Sequence, residues 1–252
     1  MSGAPDPVPV SVPDPSHGTL HGLGLGPGDP ELMTLKADRL IRSCPVIAYP
    51  APDHGESFAR SIAAGSIPVG VEEIPIVIPM RAARAPAQAV YDRAAAVIAA
   101  RLEAGLDVAV LCEGDPFFYG SFMYLFARLS GRFRTQVAPG VSALTASAAV
   151  AGRPLAARDA GLAVLPGTMP EAELAARLRV MTAAGGGAAI LKVGRRLPRL
   201  RALLEAEGLA RRAVYVGHAT LKGQVVAPLA EAPAEAPYFS MILVPGTDAH
   251  VG

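Results

Sequence analysis

An α/β fold is predicted by three features of this 252-residue chain. Short, nearly unbroken apolar runs alternate with longer Ala-rich stretches of helical spacing. Glycine-rich turns stand where several of the short runs stop. Hydrophobic residues make up 51% of the chain, enough for a substantial core, yet no run approaches the roughly 20 apolar residues of a membrane span.

The first seventeen residues hold five prolines, no basic segment and no continuous apolar stretch, so an extended tail is expected there and not a signal peptide. Thr19–Gly26 reads as a strand running into Pro27-Gly28-Asp29-Pro30-Glu31. Asp29 is placed to cap a helix, Pro30 suits its first position and Glu31 favours the positive end of its dipole, so a helix is predicted through Arg42. Pro45–Tyr49 and Ile74–Ile78 read as buried strands, and Ala87–Ala104 as a long helix stopped by Gly105. Asp107–Cys112 is apolar almost throughout, as a central parallel strand covered on both faces should be. Phe133–Val137 gives one more strand, followed after Pro139-Gly140-Val141-Ser142 by a helix to about Ala151.

A domain boundary is placed here, with an N-terminal domain over residues 18–138, a C-terminal domain over 139–246 and a short tail over 247–252. The second half repeats the alternation, with strands at Leu162–Leu165, Ala188–Val193 and Ala213–Val216 and helices at Glu171–Thr182 and Leu197–Gly208. Gln224–Leu229 and Tyr238–Val244, separated by a Pro- and Ala-rich segment, predict an antiparallel hairpin.

The net charge of +1 gives no reason to expect nucleic acid, and a soluble, cytoplasmic protein is expected. Of 23 basic residues only Lys36, Lys192 and Lys222 are lysines, and arginine's planar fork suits carboxylates and phosphates. Cys44 and Cys112 lie far apart without a CxxC neighbour, which argues against a disulfide framework and a zinc site. The histidines (His17, His21, His54, His218, His250) have no metal-ligand spacing, so no metal is expected, and the absence of a GxSxG elbow argues against a serine hydrolase.

Two turns carry the chemistry. Gly22-Leu23-Gly24-Leu25-Gly26-Pro27-Gly28-Asp29 invites a nucleotide reading but misses GxGxxG, because Pro27 and Asp29 occupy the required glycine positions, and no P-loop occurs anywhere. Glu113-Gly114-Asp115-Pro116 would repel a phosphate and suits a cationic or hydroxyl-bearing ligand. Asp115 can accept from ribose hydroxyls or an ammonium group, or it can cap an aromatic helix after Pro116. Six of the chain's thirteen aromatic residues lie between Phe117 and Phe126. Phe122 and Phe126 have core spacing, whereas Phe117–Tyr119 sit in the turn, where ring faces can wall an adenine, a sulfonium or a planar substrate. Both turns follow strands, where open α/β sheets bind ligands. A binding site without an obvious nucleophile fits group transfer from an activated cofactor.

GLGLGPGDPELMTLKA, VAVLCEGDPFFYGSFMYL, APGVSALTASAAVAGRPL, LPGTMP, LKVGRR and APYFSMIL together resemble the tetrapyrrole methyltransferase family of cobalamin biosynthesis, from Gly18 to Val244. Within it, Glu before Gly-Asp-Pro, with PGT, K-x-GR and YFS, is similar to the branch that methylates carbon 20 of precorrin-2. The resemblance implies two α/β domains with S-adenosylmethionine in the cleft between them, a tetrapyrrole substrate, S-adenosylhomocysteine as product, and a homodimer. It assigns cofactor contacts to Pro27, Glu113, Gly114, Asp115, Phe118, Ser142, Ala143, Val193 and Ala219, most of them through backbone atoms. A ring bearing eight carboxylates gives Arg81, Arg84, Arg195 and Arg196 a use as substrate contacts; no general base is identified. A cobalt-loaded ring, another ring position and a binding protein without turnover are the alternatives. One departure stands out: where the branch reads YVERAT, this chain has Tyr215-Val216-Gly217-His218-Ala219-Thr220, with His218 able to replace the missing arginine when protonated.

Overall fold

The computed structural model describes residues 14–78 and 84–247. These fall into two compact units divided between Val141 and Ser142.

The first unit contains β1 (Leu20–Gly24), α1 (Leu35–Ser43), β2 (Val46–Pro52), α2 (Phe58–Ala63), β3 (Glu72–Ile78), α3 (Arg84–Glu103), β4 (Val108–Cys112), α4 (Phe122–Leu129) and β5 (Thr135–Ala138). Its five strands are all parallel, in the order β3-β2-β4-β1-β5. The unbroken apolar run of β4 has a direct explanation. Val108, Val110 and Cys112 face a core built with Ile98 and Leu102 of α3 and Phe122 and Leu125 of α4. Ala109 and Leu111 face the opposite core, with Leu40 and Ile41 of α1 and Ala59 and Ile62 of α2. Both cysteines are buried free thiols, which burial pushes up to about 12, so neither serves as a nucleophile near neutral pH.

The single helix expected from Pro30 to Arg42 is two pieces. Asp29 caps only a 3-10 turn over Pro30–Leu32, accepting the Glu31 N–H at 2.9 Å. Met33 and Thr34 are then extended, and Thr34 starts α1 by accepting the Ala37 N–H at 3.2 Å. A second capping residue restarts the helix, and Met33 packs against the core that α1 also joins. The short helix α2, capped by Ser57, escapes sequence reading because six residues are too few to set up a period.

The second unit contains α5 (Ala143–Ala151), β6 (Leu162–Pro166), α6 (Glu171–Ala183), β7 (Gly187–Leu191), α7 (Leu197–Ala206), β8 (Val214–Gly217), β9 (Val225–Pro228) and β10 (Ser240–Val244). Its sheet has the order β6-β7-β10-β8-β9. Helices α6 and α7 cover one face through Leu174, Leu178, Leu200 and Leu204, and α5 covers the other through Leu144.

The hairpin expected between the last two β runs does not form. β9 pairs with β8, and β10 inserts antiparallel between β7 and β8. The physical reason lies in the side chains. Met241, Ile242, Leu243 and Val244 are buried on both faces of β10, as a central position demands, whereas the exposed β9, ending in Pro228, suits an edge. Among the described residues, no helix is long and apolar enough to cross a membrane.

The restart of α1 gives a test: Thr34→Ala should destabilise the protein by about 1 kcal/mol, read from urea unfolding followed by circular dichroism.

Candidate active site

Strands β4, β1 and β5 lie side by side and parallel, so their following loops emerge at one edge of the sheet. The loops are locked together by main chain. Gly114 donates to the Gly26 carbonyl at 2.7 Å and Gly26 donates back at 3.3 Å, an isolated antiparallel bridge between the β1 and β4 loops. Gly114 has φ +65°, a left-handed conformation that any side chain would strain. Gly24 and Gly140 are small for a different reason. A Cβ on Gly24 would stand 2.5 Å from the Gly140 nitrogen and 2.8 Å from the Gly114 oxygen, and a Cβ on Gly140 would overlap that same oxygen. Three glycines, one at the end of β1 and two in the loops after β4 and β5, therefore share one contact.

Asp115 fastens this contact. One carboxylate oxygen accepts the Gly140 N–H at 3.0 Å and the other accepts the Phe117 N–H at 2.9 Å. The alternative of an aromatic helix capped by Asp115 is corrected here, because α4 begins only at Phe122, preceded by Ser121.

Glu113 directly follows β4 and is half-buried, with its own N–H and that of Ala59, in the first turn of α2, placed to favour the charged carboxylate. Burial outweighs those bonds and pushes the carboxyl above the usual glutamate range. The side chain is thus turned toward α2.

The aromatics divide as their spacing predicts. Phe122 is fully buried and Phe126 packs against the same core, whereas Phe117 is exposed in the turn, its ring edge-on to Phe126 with centroids 5.0 Å apart. Phe118 and Tyr119 pack edge-on against each other at 5.2 Å and remain substantially exposed. Tyr119 holds φ +59°, an unusual conformation for an aromatic residue, and of the kind that concentrates at binding sites. Nothing in the sequence signalled it. Pro27 is buried in the β1 loop.

In the second unit, the Ser142 hydroxyl caps α5 by accepting the Thr145 N–H at 3.3 Å, and Ala143 is the exposed first residue of that helix. Val193 is fully buried in the core of this unit. Ala219 is half-buried in the β8–β9 loop between His218 (φ +50°) and Thr220 (φ +68°). Arg195 is exposed and Arg196 half-buried in the turn before α7. Arg84 is the first residue of α3, and Arg81 lies outside the described residues.

Across residues 19–233 the chain matches the family model described as Tetrapyrrole (Corrin/Porphyrin) Methylases. The chain belongs to this family. A precorrin-2 C(20)-methyltransferase of Sinorhizobium sp. is 44% identical over 91% of this chain and 96% of its own length. A cobalt-precorrin-2 C(20)-methyltransferase of Salmonella typhimurium is 35% identical over 90% of this chain and 96% of its own. Among solved structures, a uroporphyrin-III C-methyl transferase from Thermus thermophilus, complexed with S-adenyl homocysteine, superposes with a TM-score of 0.62 at 25% identity. That likeness covers 90% of this chain and 92% of the Thermus protein. In this tetrapyrrole methylase, then, the glycine contact and Asp115 stand within a fold that the Thermus protein shares.

Two outcomes follow for this methylase. Asp115→Asn, which keeps the shape but turns one acceptor into a donor facing an N–H, should destabilise the protein by about 2 kcal/mol, measured by urea unfolding. Glu113 binds its proton more tightly folded than unfolded, so its contribution is complete below the ordinary value of 4.5 and is lost as pH rises through the folded value. Glu113→Gln should therefore melt higher than the parent at pH 7 to 8, with the difference closing by about pH 4 in thermal scans.

Proposed function

We propose that this chain methylates carbon 20 of precorrin-2, converting it to precorrin-3A with S-adenosylmethionine as the methyl donor. The observation that carries this reading is the 44% identity, over nearly the full length of both chains, to the Sinorhizobium precorrin-2 C(20)-methyltransferase, against 35% for the cobalt-precorrin-2 protein of Salmonella. The Thermus structure crystallised with S-adenyl homocysteine supports the donor.

When bound, the cofactor supplies an electrophilic sulfonium methyl; a bond from ring carbon to methyl forms as the sulfur–methyl bond breaks, its electron pair passing to sulfur and the ring carbon then losing a proton. The residues present fit such a guest. Main-chain groups around Pro27, Glu113, Gly114 and Asp115 lie on loops tied together by hydrogen bonds, which favours binding without a large ordering cost, and the exposed rings of Phe118 and Tyr119 offer apolar surface. Asp115 acts by holding that frame. Ser142, Ala143, Val193 and Ala219 of the second unit are assigned cofactor contacts on the strength of the resemblance. The chain contributes alignment, which suits a reaction whose nucleophile is the substrate carbon.

Arg81, Arg84, Arg195 and Arg196 are proposed to hold substrate carboxylates, and the protein to act as a cytoplasmic homodimer. Sedimentation of the purified protein at a mass near twice 25.9 kDa is the expected result for the dimer.

The decisive experiment is anaerobic incubation with precorrin-2 and carbon-13-methyl S-adenosylmethionine, with cobalt-factor II in parallel and the labelled position read by NMR. Label at carbon 20 of the metal-free ring, formed faster than on the cobalt-loaded one, is expected. Preference for the cobalt ring, or label elsewhere, would replace the assignment. Arg195→Ala combined with Arg196→Ala should raise the KM for the tetrapyrrole about tenfold at low ionic strength and by less at 0.5 M salt.

A further inference from the structure

The Tyr238-Phe239-Ser240 stretch, part of the sequence resemblance, has no role in the site described so far. Ser240 opens β10, and because β10 runs antiparallel between β7 and β8, its first residue lies at the carboxyl ends of both. There the Ser240 hydroxyl donates to the Pro237 carbonyl at 2.7 Å and accepts the Gly194 N–H at 3.2 Å. Gly194 immediately follows Val193, in a turn where Lys192 and Gly194 both adopt left-handed backbone (φ +56° and +42°). One residue before Ser240, the Phe239 carbonyl accepts the His218 N–H at 2.8 Å. The loop carrying Val193 and the loop carrying Ala219 are thus both hung on Pro237–Ser240.

Tyr215 lies beneath. It is fully buried on β8, two residues before Gly217 and therefore on the same face, and Gly217 pairs with Ser240 across the sheet. A Cβ on Gly217 would stand 2.7 Å from the Tyr215 hydroxyl. That hydroxyl sits beside Ser240 without reaching hydrogen-bonding geometry; burial pushes the phenol up while Ser240 pulls the other way. The glycine at 217 is the space into which the tyrosine turns.

We propose that Ser240 is a positioning residue for the methyl donor: its hydroxyl fixes the turn that presents the Val193 main chain, and the Tyr215–Gly217 packing beneath it holds the β8 loop that presents Ala219. The inference rests on the reading of Val193 and Ala219 as donor contacts. Its energetic logic is local. Ser240, Gly194 and Pro237 are all half-buried, so water can reach the groups freed by removing the hydroxyl, and the β10 main-chain pairing is untouched.

The test is calorimetric titration of the purified protein with S-adenosylhomocysteine, together with steady-state kinetics. Ser240→Ala should weaken binding about tenfold and raise the KM for S-adenosylmethionine by a similar factor, with kcat within about twofold. Its melting temperature should stay within about 2 °C of the parent, and Ser240→Thr, which keeps the hydroxyl, should recover affinity to within about threefold. Gly217→Ala should weaken binding in the parent and do so less in a Tyr215→Phe background, where the clashing oxygen is gone. Parent-like affinity in Ser240→Ala, Ser240→Thr as weak as Ser240→Ala, or additive effects of Gly217→Ala and Tyr215→Phe would each overturn the positioning role. A parent protein that binds no S-adenosylhomocysteine would overturn the functional reading itself, whereas normal parent binding with an unaltered Ser240→Ala overturns only the positioning.

Discussion

The first unit depends on a contact with no room in it. Gly24, Gly114 and Gly140 bring the ends of three parallel strands so close that a single methyl group at Gly24 or Gly140 would collide with a neighbour's backbone. Closeness of this kind leaves no space for side chains at the contact itself, so the fastening is done by the Gly26–Gly114 main-chain bridge and by the Asp115 carboxylate, which accepts from two N–H groups. Everything else at that edge inherits its position from this arrangement: the buried Pro27 on one side, the Phe118–Tyr119 pair on the other, and the start of α4 beyond. The usual expectation for a carboxylate at a strand end is direct ligand contact. Here its first duty is to the frame.

Much of this was legible in the sequence because the signals were local and redundant. The apolar run at Val108–Cys112 meant burial on both faces, and both faces are buried. Phe122 and Phe126 read as core by their spacing, and Phe122 is fully enclosed while Phe126 packs against the same cluster. What could not be read depends on competition between local signals or on distant partners. Asp29 and Thr34 are both competent helix caps, and which one starts the long helix depends on Met33 finding the core. The hairpin expected at the end of the chain was a reasonable inference from proximity, overturned because β10 carries two apolar faces and β9 carries none that are buried. The role of Glu113 was hidden for the same reason. Its partner, Ala59, belongs to a helix too short to announce itself.

The two units use opposite means to the same end. In the first, main chain meets main chain through glycine, and one charged side chain secures it. In the second, the strand ends are held by a hydroxyl and by carbonyls of the Pro237–Ser240 segment, with left-handed residues at Lys192, His218 and Thr220 shaping the loops. Strain of that kind persists only where the surroundings over-determine it, and the buried Tyr215 supplies part of that surrounding.

The insertion of β10 between β7 and β8 also imposes an order in time. A ribosome delivers β6, β7, β8 and β9 before Ser240–Val244 emerges, and until then β7 and β8 have no neighbour to join them. The second sheet waits as two separate ribbons, each with an unpaired inner edge, while the all-parallel first sheet can already be complete. The last strand acts as a keystone, so nascent chains pass through a stage in which one half of the molecule is finished and the other half is most exposed to mispairing and to capture by chaperones.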